Sequence, residues 1–90
     1  MTAAKRERLE TELARLVVRN MAAVMEREQT RRGLNKVEFA KLCGITATSY
    51  ISILEGRANP TVFMVARISW NSGLTMHNLI HGDEQTPNPS

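Results

Sequence analysis

The sequence predicts an all-α domain of five helices with an extended first helix, and three observations carry that reading. Apolar residues recur at three- and four-residue steps, the period of a helix with one buried face. Residues suited to helix N-caps and glycines suited to helix ends alternate at helix-length intervals. The aromatic set is only Phe39, Tyr50, Phe63 and Trp70, so the core of this 90-residue chain must be largely aliphatic, which suits packed helices. No segment alternates polar and apolar residues over a strand's length, and no internal repeat is present.

The first helix is read from about Lys5 to Glu28, where Leu9, Leu13, Leu16, Val17, Met21 and Val24 keep the period with Arg and Glu between them. Gln29–Arg32 loses the period and Gly33 marks the stop. Asn35 is a good N-cap and Glu38 stands three residues on, the spacing of a capping box, so a second helix is expected over Lys36–Cys43. Gly44 falls where a left-handed residue ends a helix. Ile45 is expected to plug the turn, and Thr46 to cap a third helix reaching about Glu55, closed by Gly56. Asn59-Pro60 makes a turn. Thr61 can cap a fourth helix, Val62–Ser72, ended by Gly73, and Thr75 a fifth, Met76–Ile80. Residues 1–82 are thus one domain, and the polar, proline-containing 83–90 is expected to be a flexible tail.

Composition narrows the function classes. No apolar run approaches the roughly 20 residues of a membrane span, so no membrane partner is expected. The opening MTAAKRERLE is charged and lacks an apolar signal core, which makes the cytoplasm the expected location. Cys43 is the single cysteine and is expected to be a small buried hydrophobe. The net charge of +3 is uneven: residues 1–36 hold nine Lys and Arg against five Glu, and the rest is slightly acidic. Such a bias permits attraction to phosphate and proves nothing alone. Small helical domains often gain stability by dimerising, so self-association is expected.

The informative stretch is Gly33–Gly82: a helix, a tight turn centred on Gly44 and a second helix of about three turns, the spacing of a helix-turn-helix. Ala40 leaves room in the middle of the first helix for its partner to cross, and Ile45 anchors the corner. LNKVEFAKLCGITATSYISILEGRANPT, followed by VFMVARISWNSGLTMHNLIHG, resembles the Cro/repressor-type (XRE) helix-turn-helix family over roughly half the chain. Its landmarks are Leu34-Asn35, Phe39-Ala40, Gly44-Ile45-Thr46, Gly56, Asn59-Pro60-Thr61, and Gly73-Leu74-Thr75 before Leu79.

The resemblance implies a phage-repressor-like fold whose third helix reads double-stranded DNA. It places Lys36 at a phosphate-contacting position, Thr46, Ala47, Thr48 and Ser52 at positions reaching base edges or nearby phosphates with Ser49 close by, and Arg57 at a backbone-contacting position. For Lys36 and Arg57 a solvated surface charge is the competing reading, and Thr46 serves as a cap in either case. None of the base-facing positions is Arg, Asn or Gln, so bidentate base contacts are not available to them. Modest direct readout, helped by DNA shape and dimer spacing, is the expectation. The family commonly has an acid where ungapped matching puts Leu54; a one-residue shift would put Glu55 there, which leaves open whether Tyr50 or Ile51 faces the core. The link between the first two helices, carrying Arg31 and Arg32, reads as about four residues longer than the family's.

On the fourth helix, family matching turns Val62, Val65, Ile68 and Ser69 inward and Phe63 and Trp70 outward, with Met64 and Arg67 beside them. Phe63, Arg67 and Trp70 then form a homodimer or partner surface, unless the first helix folds back over them. Leu9, Leu13 and Leu16 are a second source of dimer contacts. His77 and His81 stand four apart, and solvated histidines outweigh a metal site; no metal or cofactor is expected. No nucleophile–base set or phosphate-binding glycine loop appears, so no enzymatic activity is expected. The resemblance therefore implies a dimeric, sequence-specific transcriptional repressor of phage or mobile-element type that occludes a promoter. The alternative is an antitoxin or other protein-interaction module of the same fold, with a toxin as partner.

Overall fold

The computed structural model describes residues 2–82; the segment read as a tail lies outside them. Within these residues the chain forms five α-helices and no strand: α1 Ala3–Arg32, α2 Lys36–Cys43, α3 Ala47–Leu54, α4 Val62–Ser72 and α5 Met76–His81. Each begins on a side chain that accepts a hydrogen bond from the backbone N–H three residues on: Thr2, Asn35, Thr46, Thr61 and Thr75. The capping box of α2 is complete, with Glu38 N–H donating to Asn35 Oδ1 at 2.8 Å and Asn35 N–H to Glu38 Oε1 at 2.9 Å. These bonds satisfy donors that a helix start otherwise leaves orphaned.

The first helix is longer at both ends than its apolar period indicates. Thr2 caps it, and its last turn includes Arg31 and Arg32, both paired with Glu28 from one turn below. Cations in a last turn also face the negative end of the helix dipole. The expected long link is therefore helix, and only 33–35 connects α1 to α2. A polar last turn held by ion pairs has no apolar stripe to betray it.

The core is built from Val18, Met21, Val24 and Met25 of α1, Phe39, Ala40 and Cys43 of α2, Tyr50 and Ile53 of α3, Val65 and Ile68 of α4, and Leu79 of α5. Burying each of the larger side chains is worth roughly 1.5–3 kcal/mol, so these contacts fix the roll of every helix. Helix α1 packs on α3 and α5, α2 on α3 and α4, and α4 on α5. Polar ties lock the corners. Arg32 donates to the Ser72 carbonyl at 2.7 Å, joining the ends of α1 and α4, and Asn20 donates to the Ile80 carbonyl at 2.9 Å. Cys43 is buried, and desolvation pushes its thiol up to about 11.

Helix α4 corrects one expectation. Val65 and Ile68 face inward, but Val62 is exposed and Ser69 only half-buried; Met64 and Ser72 complete the inner stripe. Ser72 tolerates burial because its hydroxyl donates to the Ile68 carbonyl at 2.6 Å and accepts from Leu74 N–H at 3.1 Å. Val62 occupies the first turn, beyond the part of α4 that meets the core.

Candidate nucleic-acid interface

Between α2 and α3 the chain bends by 106°, within the range of helix-turn-helix pairs. The corner depends on Gly44. Its φ of +80° is costly for residues with a Cβ, and a Cβ there would lie 2.7 Å from Asn71 Nδ2 of α4. Asn71 uses that nitrogen to donate to the Cys43 carbonyl at 3.1 Å, so α4 braces the turn directly. Ile45 packs against the core from the corner.

Helix α3 is oriented by Tyr50, which is fully buried. Its ring meets Phe39 of α2 at 5.4 Å between centroids, and its hydroxyl donates to Gln29 Oε1 of α1 at 2.7 Å. Burial also pushes its phenol pKa up, so the hydroxyl stays a donor. Tyr50, not Ile51, therefore faces the core, and Leu54 packs against it from the side.

The outward face of α3 follows from that roll. Thr48 is exposed, Ile51 is 37% exposed, and Ala47, Ser49 and Ser52 are half-buried along the flanks. Helix α3 carries no charged side chain. Thr48, Ser49 and Ser52 line a groove of about 240 Å³ together with Asn59, Pro60 and Met64. Thr46 is committed to capping: its Oγ1 accepts from Ser49 N–H at 3.0 Å and its hydroxyl donates to Ser49 Oγ at 2.9 Å. The two interactions hold Ser49 beside it.

Lys36 is the exposed first residue of α2. Arg57 is exposed in the loop after α3 and is held by Glu55, with Arg57 Nε donating to Glu55 Oε1 at 2.9 Å. Two residues join this surface that the sequence does not assign to it: Ile51, which the sequence leaves as an alternative to Tyr50 for the core, and Asn59, which the sequence marks as a turn residue and family landmark and which lines the groove beside α3. Both follow from packing that brings distant residues together.

Elsewhere, Phe63 and Trp70 are 83% and 88% exposed, with exposed Arg67 between them on the outer stripe of α4; α1 does not cover them. Leu9, Leu13 and Leu16 are also exposed. The rings of His77 and His81 lie 4.6 Å apart between centroids, tilted by 34°, and among the described residues no three His, Cys, Asp or Glu side chains gather as a metal site would require. Among these residues, no single helix is long and apolar enough to cross a membrane.

A family model described as Helix-turn-helix matches residues 25–69, half of the chain, from the last two turns of α1 into α4. No match was found among curated proteins or among solved structures.

Proposed function

The chain belongs to the Cro/repressor-type (XRE) helix-turn-helix family of DNA-binding regulators, and from that premise we propose that it is a dimeric, sequence-specific repressor of phage or mobile-element type that occludes a promoter. The observation that carries the reading is the uncharged outer face of α3, set at 106° to α2 beside exposed Lys36. Thr48, Ser49 and Ser52 offer single hydrogen bonds to base edges, and Ala47, Ile51 and the Thr48 methyl offer apolar contact to thymine methyls. Lys36 and Arg57 hold phosphates, the latter after exchanging Glu55 for the DNA backbone, and Thr46 fixes the start of the reading helix. Two protomers would place their α3 helices in major grooves about one helical turn apart, roughly 34 Å.

The test is selection of bound fragments from fragmented genomic DNA, followed by affinity across a salt series. An enriched inverted repeat, still preferred over random DNA at ~150 mM salt, is the expected result. Binding that is equal for all sequences and vanishes with salt would refute the regulator.

A second reading draws on the exposed Phe63 and Trp70. In it, the α4 face holds a different protein, as an antitoxin holds its toxin. Co-purification of a stoichiometric partner that Trp70→Ala releases would favour it over the homodimer.

A further inference from the structure

We propose that the first half of α1 enlarges the DNA-contacting surface, with Arg8, Arg15 and Arg19 forming a basic ridge that takes the phosphate backbone flanking the site read by α3. This rests on the DNA-binding reading above and adds to it a surface N-terminal to the family match, which begins at residue 25.

The three arginines are spaced by seven and four residues, two turns and one turn of an α-helix, and so fall on one line along α1. The line runs beside the end of the reading helix. Arg15 and Arg19 border a groove with Ile53, Leu54, Glu55 and Gly56, and Arg15 also lines a larger one, of about 660 Å³, with Arg57 and the loop to Pro60. The ridge therefore continues from Arg57, the loop residue assigned to a phosphate.

Charge pairing separates this ridge from Arg31 and Arg32 in the last turn of α1. Arg31 and Arg32 are tied to Glu28, and Arg32 also to the Ser72 carbonyl. Arg8, Arg15 and Arg19 make no ion pair among the described residues. Two carboxylates stand by them: Glu12, four residues after Arg8 and three before Arg15 and so on the same face of α1, and Glu55 across the groove, already engaged by Arg57. From Arg8 to Arg19 the helix rises about 16 Å, comparable with several phosphates along one strand.

The experiment compares the full chain with Arg15→Ala/Arg19→Ala and with Arg15→Lys/Arg19→Lys. Each is titrated into a duplex carrying the selected site, a random duplex of equal length and a duplex trimmed to the half-sites, from ~50 to ~200 mM salt. The alanine pair should weaken binding to both long duplexes equally and flatten the slope of log K against log salt by about two, while the lysine pair keeps it. On the trimmed duplex the alanine pair and the wild type should converge. A wild-type slope for a folded alanine pair, judged by its thermal transition, would overturn the ridge and leave α3 as the reader. Failure of the wild-type chain to bind any duplex would overturn both.

Discussion

The Tyr50 hydroxyl donates to Gln29 Oε1 at 2.7 Å, joining α3 to α1 across 21 residues of chain. Gln29 also donates through Nε2 to the Leu34 carbonyl at 3.2 Å, so one side chain holds α3 and the 33–35 link together. Removing the phenolic oxygen leaves a half-buried amide oxygen without its donor. Tyr50→Phe should cost about 1–2 kcal/mol, and a double-mutant cycle with Gln29→Met should return a coupling near 1 kcal/mol. Additive effects in chemical denaturation would show that the bond contributes nothing beyond its neighbours.

Gly44→Ala combines an unfavourable φ with a Cβ set against Asn71. We expect a loss of about 2 kcal/mol and a fall in Tm of roughly 10 °C. Asn71→Ala should relieve the contact but leave the Cys43 carbonyl without its donor, so the double variant should recover only part of the loss. Full recovery by calorimetry would mean that backbone strain at residue 44 is negligible.

Lys36 and Thr48 should fail in different ways. Lys36→Ala is expected to weaken binding to every duplex alike and to lower the salt slope by about one. Thr48→Ala should leave that slope unchanged and alter preference at one base position by about fivefold, the worth of one hydrogen bond. Competition with single-base variants of the selected site distinguishes the two, and a uniform loss for both would remove the roles assigned to them.

Phe63 and Trp70 present the largest exposed apolar side chains on α4. If they are the centre of the homodimer, Phe63→Ala/Trp70→Ala should raise the dimer dissociation constant about 30-fold or more, since buried aromatic anchors carry 2 kcal/mol or above. Sedimentation equilibrium measures this directly. An unchanged constant would place the dimer contact elsewhere, with Leu9, Leu13 and Leu16 next in line.

Much of this molecule is local punctuation, and local punctuation is what a sequence displays. Asn35 with Glu38, Gly44, Thr46, Thr61 and Gly73 each act through the backbone of their own turn, so the bounds of α2 and α4 match their sequence reading. The last turn of α1 escaped because Glu28, Arg31 and Arg32 stabilise it by charge, with no apolar residue to extend the period. The roll of α3 was equally hidden: Tyr50 and Ile51 are both apolar enough to face inward, and the choice rests on Phe39 and Gln29 from two other helices. Val62 misled for a related reason, since the position of a helix end relative to the core is a tertiary fact. Asn59 joined the α3 groove only once the loop had folded back beside it.

The Asn20–Ile80 bond, across 60 residues, also sets an order of events in time. Helices α2, α3 and α4 are short, individually capped and close in sequence, so their contacts can form early at little entropic expense. Docking α5 against α1 must instead close most of the chain into a loop, an entropy cost that comes before any contact there is made. That clasp should form after the folding barrier: Asn20→Ala is expected to hasten unfolding and leave the folding rate nearly unchanged, a φ-value near zero in stopped-flow experiments. Helices α2, α3 and α4 would then be assembled first, and the contact of α5 with α1 would close last.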